Sequence, residues 1–118
     1  MTVRYVLVNV AMLSLVATAA CGGTSTTTPA GKPSGSSAPY SLYTHCGIDE
    51  ANIGGRWYRA TEPLSDGSGN PPKGWDNPQQ NGEVTIVSDT EVVFTDSAGH
   101  RVTFVLRPHA SGPLHLCS

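Results

Sequence analysis

The sequence predicts an all-β fold, a small antiparallel meander of five or six strands that forms an open barrel or a sandwich-like roll stapled by one disulfide. Residues 83–87, 91–95 and 101–106 each alternate between apolar and polar side chains, as strands with one buried face do. Turn-forming residues separate these three segments. The chain contains no amphipathic helical pattern of useful length.

Residues 1–20 are predicted to be a signal peptide. Arg4 supplies a positive charge, residues 6–16 are mostly apolar, and residues 17–20 are small. The apolar run is short for a transmembrane helix, which needs roughly 20 residues. Cleavage at an Ala-x-Ala-like site would give a secreted protein, and an uncleaved anchor is the remaining alternative.

Residues 18–21, Thr-Ala-Ala-Cys, resemble the lipobox at which bacterial lipoproteins are cleaved and fatty-acylated, although Thr18 stands where that family usually has Leu. The resemblance implies that Cys21 carries a diacylglyceryl group. The protein would then lie on the extracytoplasmic face of the cell membrane, held by its N-terminal lipid.

The cysteine count supports lipidation of Cys21. An exported chain with three cysteines leaves one thiol to explain, and acylation of Cys21 leaves the pair Cys46 and Cys117. In an oxidising compartment these two are expected to form a disulfide. A His/Cys metal site is the alternative that we also considered, with the ligands His45, Cys46, His109, His115 and Cys117.

Residues 21–39 are predicted to be a flexible tether and residues 40–118 a single β-domain. The tether is almost entirely Gly, Ser, Thr, Pro and Ala, so it cannot bury enough surface to offset its ordering entropy. The whole chain has seven Lys and Arg against nine Asp and Glu. This mildly acidic balance without a basic cluster argues against a nucleic-acid partner.

The first half of the domain has a weaker β pattern than the second. Residues 40–46 are predicted to be a strand whose Cys46 face is buried, and residues 47–52 a turn with room for one helical turn. Residues 56–61 are predicted to be a second strand anchored in the core by Trp57. The preceding glycines, Gly54 and Gly55, suggest a bulge or a close backbone contact.

The second half is expected to supply most of the core. The alternation places seven apolar side chains on one face, those of Val84, Ile86, Val92, Phe94, Val102, Phe104 and Leu106. Residues 114–117 are then expected to return as a short edge segment tied to the first strand.

Residues 62–81 form a long segment without periodicity, which is uncommon in a compact domain unless the loop is functional or disordered. Leu64 and Trp75 are expected to pin it to the sheet. Aromatic side chains beside such a loop either cover a small core or bind a ligand. The candidate ligand-binding residues are Tyr58, Trp75 and His45, with a structural role for His45 as the alternative.

Two further kinds of chemistry have weak support in the loop. Asp66, Ser68 and Asn70 have the spacing at which a calcium loop begins, but Pro71 and Asn77 stand where an EF-hand has Gly and Glu. We therefore expect a plain turn and no metal. Carboxylates that could serve a hydrolase occur at Glu62, Asp66, Asp76 and Glu83. No cofactor-binding or nucleophile motif is present, so we expect no cofactor and no catalytic residue.

Several motifs together resemble a group of small lipoproteins and secreted proteins of actinobacteria. They are Tyr43-Thr44-His45-Cys46-Gly47, Gly55-Arg56-Trp57, residues 71–78 with Gln80 and Gly82, and Leu116-Cys117. The resemblance spans about residues 40–118 and implies export and paired cysteines, but no activity. We therefore expect a monomeric envelope protein with a binding or structural role, whose partner is an envelope protein or a glycan.

Overall fold

A computed structural model describes residues 35–117, which form one curled antiparallel sheet with the shape of a half-barrel. The predicted all-β class and the open-barrel form are therefore confirmed. The six strands are β1 (Ser37–Tyr43), β2 (Ile48–Ile53), β3 (Arg56–Leu64), β4 (Gln79–Ile86), β5 (Glu91–Thr95) and β6 (Arg101–Leu106). The described part of the chain has no helix that is long and apolar enough to cross a membrane.

The N-terminal predictions lie mostly outside the described residues. The signal peptide, Cys21 and the first part of the tether all precede residue 35. Within the described part, β1 begins at Ser37, so regular structure starts inside the segment predicted to be tether.

The sheet has the order β1-β4-β5-β6-β3-β2. The predicted meander of the last three strands is its centre, where Val84 pairs with Phe94 and Phe94 pairs with Val102. β1 pairs with β4 on one side, and the β2–β3 hairpin joins through β3 to β6 on the other. β1 and β2 are thus the two edges of the sheet.

The two edges face each other across a gap that we call the seam. The Tyr40 hydroxyl of β1 donates a hydrogen bond to the Asn52 carbonyl of β2 over 2.9 Å. No backbone ladder joins the two strands, because each is paired on its other side. The barrel is therefore open along the seam, and a side chain bridges it.

The core lies on the concave face of the sheet, as the alternation predicts. Val84, Val92, Phe94, Val102 and Phe104 are buried there, and Leu106 is partly buried. Ile86 is the exception, since it is the last residue of β4 and is 52% exposed. Alternation identifies the face of a strand but not how far along the strand the core extends.

Gly82 in β4 is required by the packing of the core. A Cβ at this position would lie 2.6 Å from Cζ of Phe94, which is far below a normal contact. The absence of a side chain therefore allows the Phe94 ring to lie directly against the β4 backbone.

The prediction of a turn over residues 47–52 is wrong, because this segment is β2 and contains no helical turn. Asp49, Glu50 and Asn52 have low β-propensity, which hid the strand. The irregularity that we expected at Gly54 and Gly55 is also misplaced. These two glycines form a two-residue hairpin loop with φ of 60° and 80°, whereas the register shift lies between Ile48 and Glu50.

The expectation that Trp57 anchors the core is wrong by one residue. Tyr58 is 4% exposed and belongs to the core, whereas Trp57 lies on the opposite face of β3 and is half-buried. Adjacent residues of a strand face opposite ways. The pairing of Tyr58 with Ala51 and Leu106 decides which of the two points inward.

Candidate functional site

The turn between β1 and β2 contacts both the long loop before β4 and the C-terminal segment of the chain. Residues 44–47 form a four-residue turn that is closed by a 3.0 Å hydrogen bond from the Gly47 amide to the Thr44 carbonyl. Cys46 has φ of 69° at the third position of the turn. A type II turn requires a positive φ there, and glycine normally supplies it.

The same turn holds the long loop, residues 65–78. The fully buried Thr44 donates from Oγ1 to the Asp76 carbonyl over 2.6 Å, and its backbone amide donates to the Pro78 carbonyl over 2.8 Å. The Cys46 amide donates to the Gly69 carbonyl over 2.9 Å. The Thr-His-Cys-Gly motif and the Trp-Asp-Asn-Pro motif are therefore in direct contact.

The loop is also ordered by its own hydrogen bonds around Asp66. One carboxylate oxygen of Asp66 accepts the amides of Ser68 and Asn70 over 2.7 and 3.1 Å, and the other accepts Nδ2 of Asn70 over 3.2 Å. The Ser68 amide is the main reason that the pKa of Asp66 lies below its ordinary value, and Asn70 adds to the effect. This arrangement is an Asx turn.

Asp66, Ser68 and Asn70 therefore lie in a plain Asx turn, as expected from the sequence. The Asp66 carboxylate oxygens already accept hydrogen bonds from within the loop. Within residues 35–117, no group of three or more His, Cys, Asp or Glu side chains is positioned to hold a metal ion.

Trp75 pins the loop to the sheet, as expected. Its ring stacks on His100 with centroids 3.9 Å apart and lies 6.3 Å from the ring of the core residue Phe94. Leu64 also packs against the core. Trp75 therefore covers the end of the core.

Asp96 holds His100 in place beneath Trp75, a role that the sequence did not reveal. The carboxylate of Asp96 accepts Nδ1 of His100 over 2.6 Å and the backbone amides of Ala98 and His100 over 2.9 Å each. Burial of the carboxyl opposes its ionisation, but the hydrogen bonds and charge of His100 outweigh this effect. The pKa of Asp96 is therefore below its ordinary value.

The predicted Cys46–Cys117 disulfide is present, with a Cα–Cα distance of 6.2 Å. Its placement differs from the expectation, because Cys46 is only half-buried and Cys117 is exposed. Cys46 lies in the turn after β1, so the alternation of the strand does not extend to it. The bond joins the C-terminal segment to the surface rather than to the core.

The C-terminal segment, residues 107–117, crosses from the end of β6 to this turn, and we call it the tail. Both carboxylate oxygens of Glu50 accept the Leu114 amide, over 2.7 and 2.8 Å, and one of them accepts Nη1 of Arg107 over 3.1 Å. Arg107 also donates to the Gly112 carbonyl over 2.9 Å. The returning segment 114–117 is therefore tied to the domain as expected, but it forms no strand.

A cavity of about 540 Å³ lies at the seam, and we call it the cleft. The tail contributes one side of it through Pro113 and residues 115–117. The strands and the β1–β2 turn contribute aromatic and polar side chains, including Tyr40, Tyr43, His45, Asp49, Asn52 and Trp57. The cleft thus combines three aromatic rings with polar groups.

Only one of the three candidate ligand-binding residues lines this cleft. His45 does so, and its Nδ1 lies 3.2 Å from Oδ1 of Asn77 in the loop. Tyr58 is buried in the core, and Trp75 packs on His100, so the three side chains do not converge. Tyr40, Tyr43 and Trp57, which belong to the aromatic group that the sequence offered either as a binding platform or as the lid of the core, line the cleft because β1 and β2 are the sheet edges.

The loop carboxylates do not form the lining of the cleft, which contains none of Glu62, Asp66, Asp76 and Glu83. Asp66 is engaged within the loop, and the other three residues are exposed. The acidic residues that line the cleft are instead Asp49 and Glu50.

Comparison of the chain with protein-family models, with curated proteins and with solved structures found no match. The resemblance to actinobacterial lipoproteins therefore stays a prediction.

Proposed function

We propose that this chain is an exported, lipid-anchored protein whose β-domain binds a small ligand in the cleft. The observation that carries the proposal is the cleft itself. Its volume of about 540 Å³ lies in the range of roughly 300–1,000 Å³ that is typical of small-molecule sites. It also has the mixture of aromatic surface and a few polar groups that such sites use.

The seam accounts for the position of the binding site. Two sheet edges meet there without a ladder, so side chains rather than backbone hydrogen bonds form the surface. The tail closes one side and is fixed at Glu50 and at Cys117. A site with fixed walls needs little ordering when the ligand enters, which favours affinity.

The disulfide supports the proposed location, because such bonds persist in oxidising compartments and are rare in the cytosol. The signal-like N-terminus and the lipobox-like Thr-Ala-Ala-Cys sequence are the other supports. If Cys21 carries the lipid, the Cys21→Ala variant should move from the membrane fraction to the soluble extracytoplasmic fraction. Equal membrane retention of the two proteins, each with residues 1–20 removed, would contradict lipid anchoring.

The two tryptophans allow a direct test of the binding site. Trp57 lines the cleft, whereas Trp75 belongs to the loop and stacks on His100, so their indole N–H resonances report on different places. In titrations of the ¹⁵N-labelled domain with small amines, monosaccharides, cell-wall glycan fragments and short peptides, a cleft ligand should shift the Trp57 signal and leave Trp75 unchanged.

The same titration tests the alternative that the loop over residues 62–81 is the binding site. A ligand held by the loop would move the Trp75 indole and the amides around Asp66 instead. If saturating ligands from the whole panel move neither indole, ligand binding is contradicted and a structural role in the envelope becomes the better explanation.

A further inference from the structure

The chemistry of the cleft lining selects among classes of ligand. We propose that the cleft binds an organic cation, an ammonium group carried on a small molecule. This inference rests on the proposed function, since it names the ligand class of the same site.

The aromatic side chains are the first support. Tyr40, Tyr43 and Trp57 all line the cleft. The faces of such rings carry negative partial charge and attract cations, most strongly when the cation is partly desolvated, and tryptophan is the most effective of the three ring types. Tyr40 is fixed by its hydrogen bond to the Asn52 carbonyl, so its ring is held at the seam.

The ionisable groups are the second support. No Lys or Arg is among the residues that line the cleft, whereas Asp49 and Glu50 are. Glu50 already accepts Arg107 and the Leu114 amide. Asp49 is half-buried and forms no ion pair within residues 35–117. It is therefore the carboxylate that is left to face a bound cation.

Burial raises the pKa of Tyr40 above its ordinary value, which outweighs the opposite effect of its hydrogen bond to Asn52. A phenol is neutral at neutral pH even at the ordinary pKa of 10.0, so Tyr40 adds no charge to the cleft. The carboxylates of the cleft lining are those of Asp49 and Glu50, and they lie beside the imidazoles of His45 and His115. A cation is complementary to the Asp49 carboxylate.

The test compares choline with its uncharged isostere, 3,3-dimethylbutan-1-ol, at pH 8, and uses ethanolamine to distinguish quaternary from primary ammonium. Choline or ethanolamine should shift the Trp57 indole with a saturable curve and leave Trp75 unchanged. The isostere should bind about 5-fold more weakly or worse, because it lacks the charge that the rings attract.

Two variants and one control test which side chains recognise the charge of the ligand. Asp49→Asn should weaken binding of the cation by about 3- to 10-fold without affecting the isostere, since one partly buried ion pair is lost. Trp57→Leu should weaken binding of the cation by a similar factor. Because this variant lacks the Trp57 indole, its affinity is measured from the shifts of the backbone amide resonances of the cleft residues. Glu62→Gln removes one negative charge on β3 away from the cleft and should leave the affinity unchanged.

Two results would overturn the inference. Equal binding of choline and its isostere would show that charge is not recognised, and the absence of any Trp57 shift with both cations would exclude them as ligands. The proposed function would survive either result if a neutral sugar or peptide moved Trp57. Dispersed spectra of each variant confirm that it is folded, so a loss of binding is not mistaken for unfolding.

Discussion

At the scale of single residues, the contact among Asp96, His100 and Trp75 shows how one carboxylate orders a loop. The Asp96 side chain is 1% exposed and accepts three hydrogen bonds within its own turn. These bonds fix the imidazole of His100, and the Trp75 ring stacks on it. The end of the core is thereby closed by a side chain from a segment without regular structure.

We expect Asp96→Asn to destabilise the domain by about 1–2 kcal/mol, because a charge-assisted hydrogen bond to a shielded imidazole is replaced by a neutral one. The pKa of Asp96 is lowered on folding, so its ionised form stabilises the native state above the ordinary value of 3.8. That contribution is lost as the pH falls through the lowered pKa.

Urea unfolding at pH 7 and at about pH 3 measures this difference. The gap between wild type and Asp96→Asn should shrink at the lower pH. Asp89→Asn is the matched control, since Asp89 is exposed and its side chain forms no hydrogen bond among the described residues. A gap that is the same at both pH values would show that the charge of Asp96 has no part in stability.

At the scale of elements, the tail is held by a few specific contacts and not by a strand ladder. The Glu50 carboxylate binds both Arg107 and the Leu114 amide, and Cys117 is joined to Cys46.

Glu50→Gln should loosen the tail, because the neutral amide loses the ion pair with Arg107 and has only one oxygen to accept hydrogen bonds. We expect a loss of stability of about 1–3 kcal/mol and faster hydrogen exchange at the Leu114 amide. Glu62→Gln is the control, since Glu62 is exposed and the contacts that hold the tail are made by Glu50. Unchanged protection of Leu114 in Glu50→Gln would contradict this role.

The sequence predicted elements well where the local pattern was strong. β4, β5 and β6 alternate cleanly, and five of the seven side chains assigned to the core from them are buried there. β2 was missed, because Asp49, Glu50 and Asn52 do not favour a strand and its pairing with β3 decides its structure. The two glycines between these strands were the available signal for a hairpin.

The candidate site was harder to predict from the sequence than the fold was. The hydrogen bond from Thr44 to Asp76 spans 32 positions, and no local pattern reports a contact at that separation. The cleft depends on which strands are edges, and strand order is a property of the whole sheet. His45 was expected on a strand but lies in the turn after β1, and it lines the cleft. The aromatic residues were recognised as a possible platform, but their division between the cleft and the core was not predicted.

At the scale of the whole molecule, the disulfide joins the end of the tail to the turn between the two edge strands, across 71 residues. On the chain-entropy model a loop of this length contributes about 4 kcal/mol, a large part of the stability of a small domain. The same bond completes one wall of the cleft. Stability and the proposed binding site therefore depend on one covalent link.

The double variant Cys46→Ala with Cys117→Ala should lose about 4 kcal/mol of stability. Cys46→Gly with Cys117→Ala should lose about 1 kcal/mol less, because φ at position 46 is 69° and glycine adopts this conformation without strain. Denaturant unfolding of both variants separates the covalent effect from the local one. Equal stability of the two variants would contradict the role assigned to the turn.

The most direct test of the account is the intact mass of protein from native membranes after alkylation of free thiols without reduction. Export and lipidation predict a chain that begins at Cys21 with a diacylglyceryl group, and the disulfide predicts no alkylation at Cys46 or Cys117. A chain that retains Met1 and carries alkylated cysteines would contradict export, the lipid anchor and the disulfide in the native protein together.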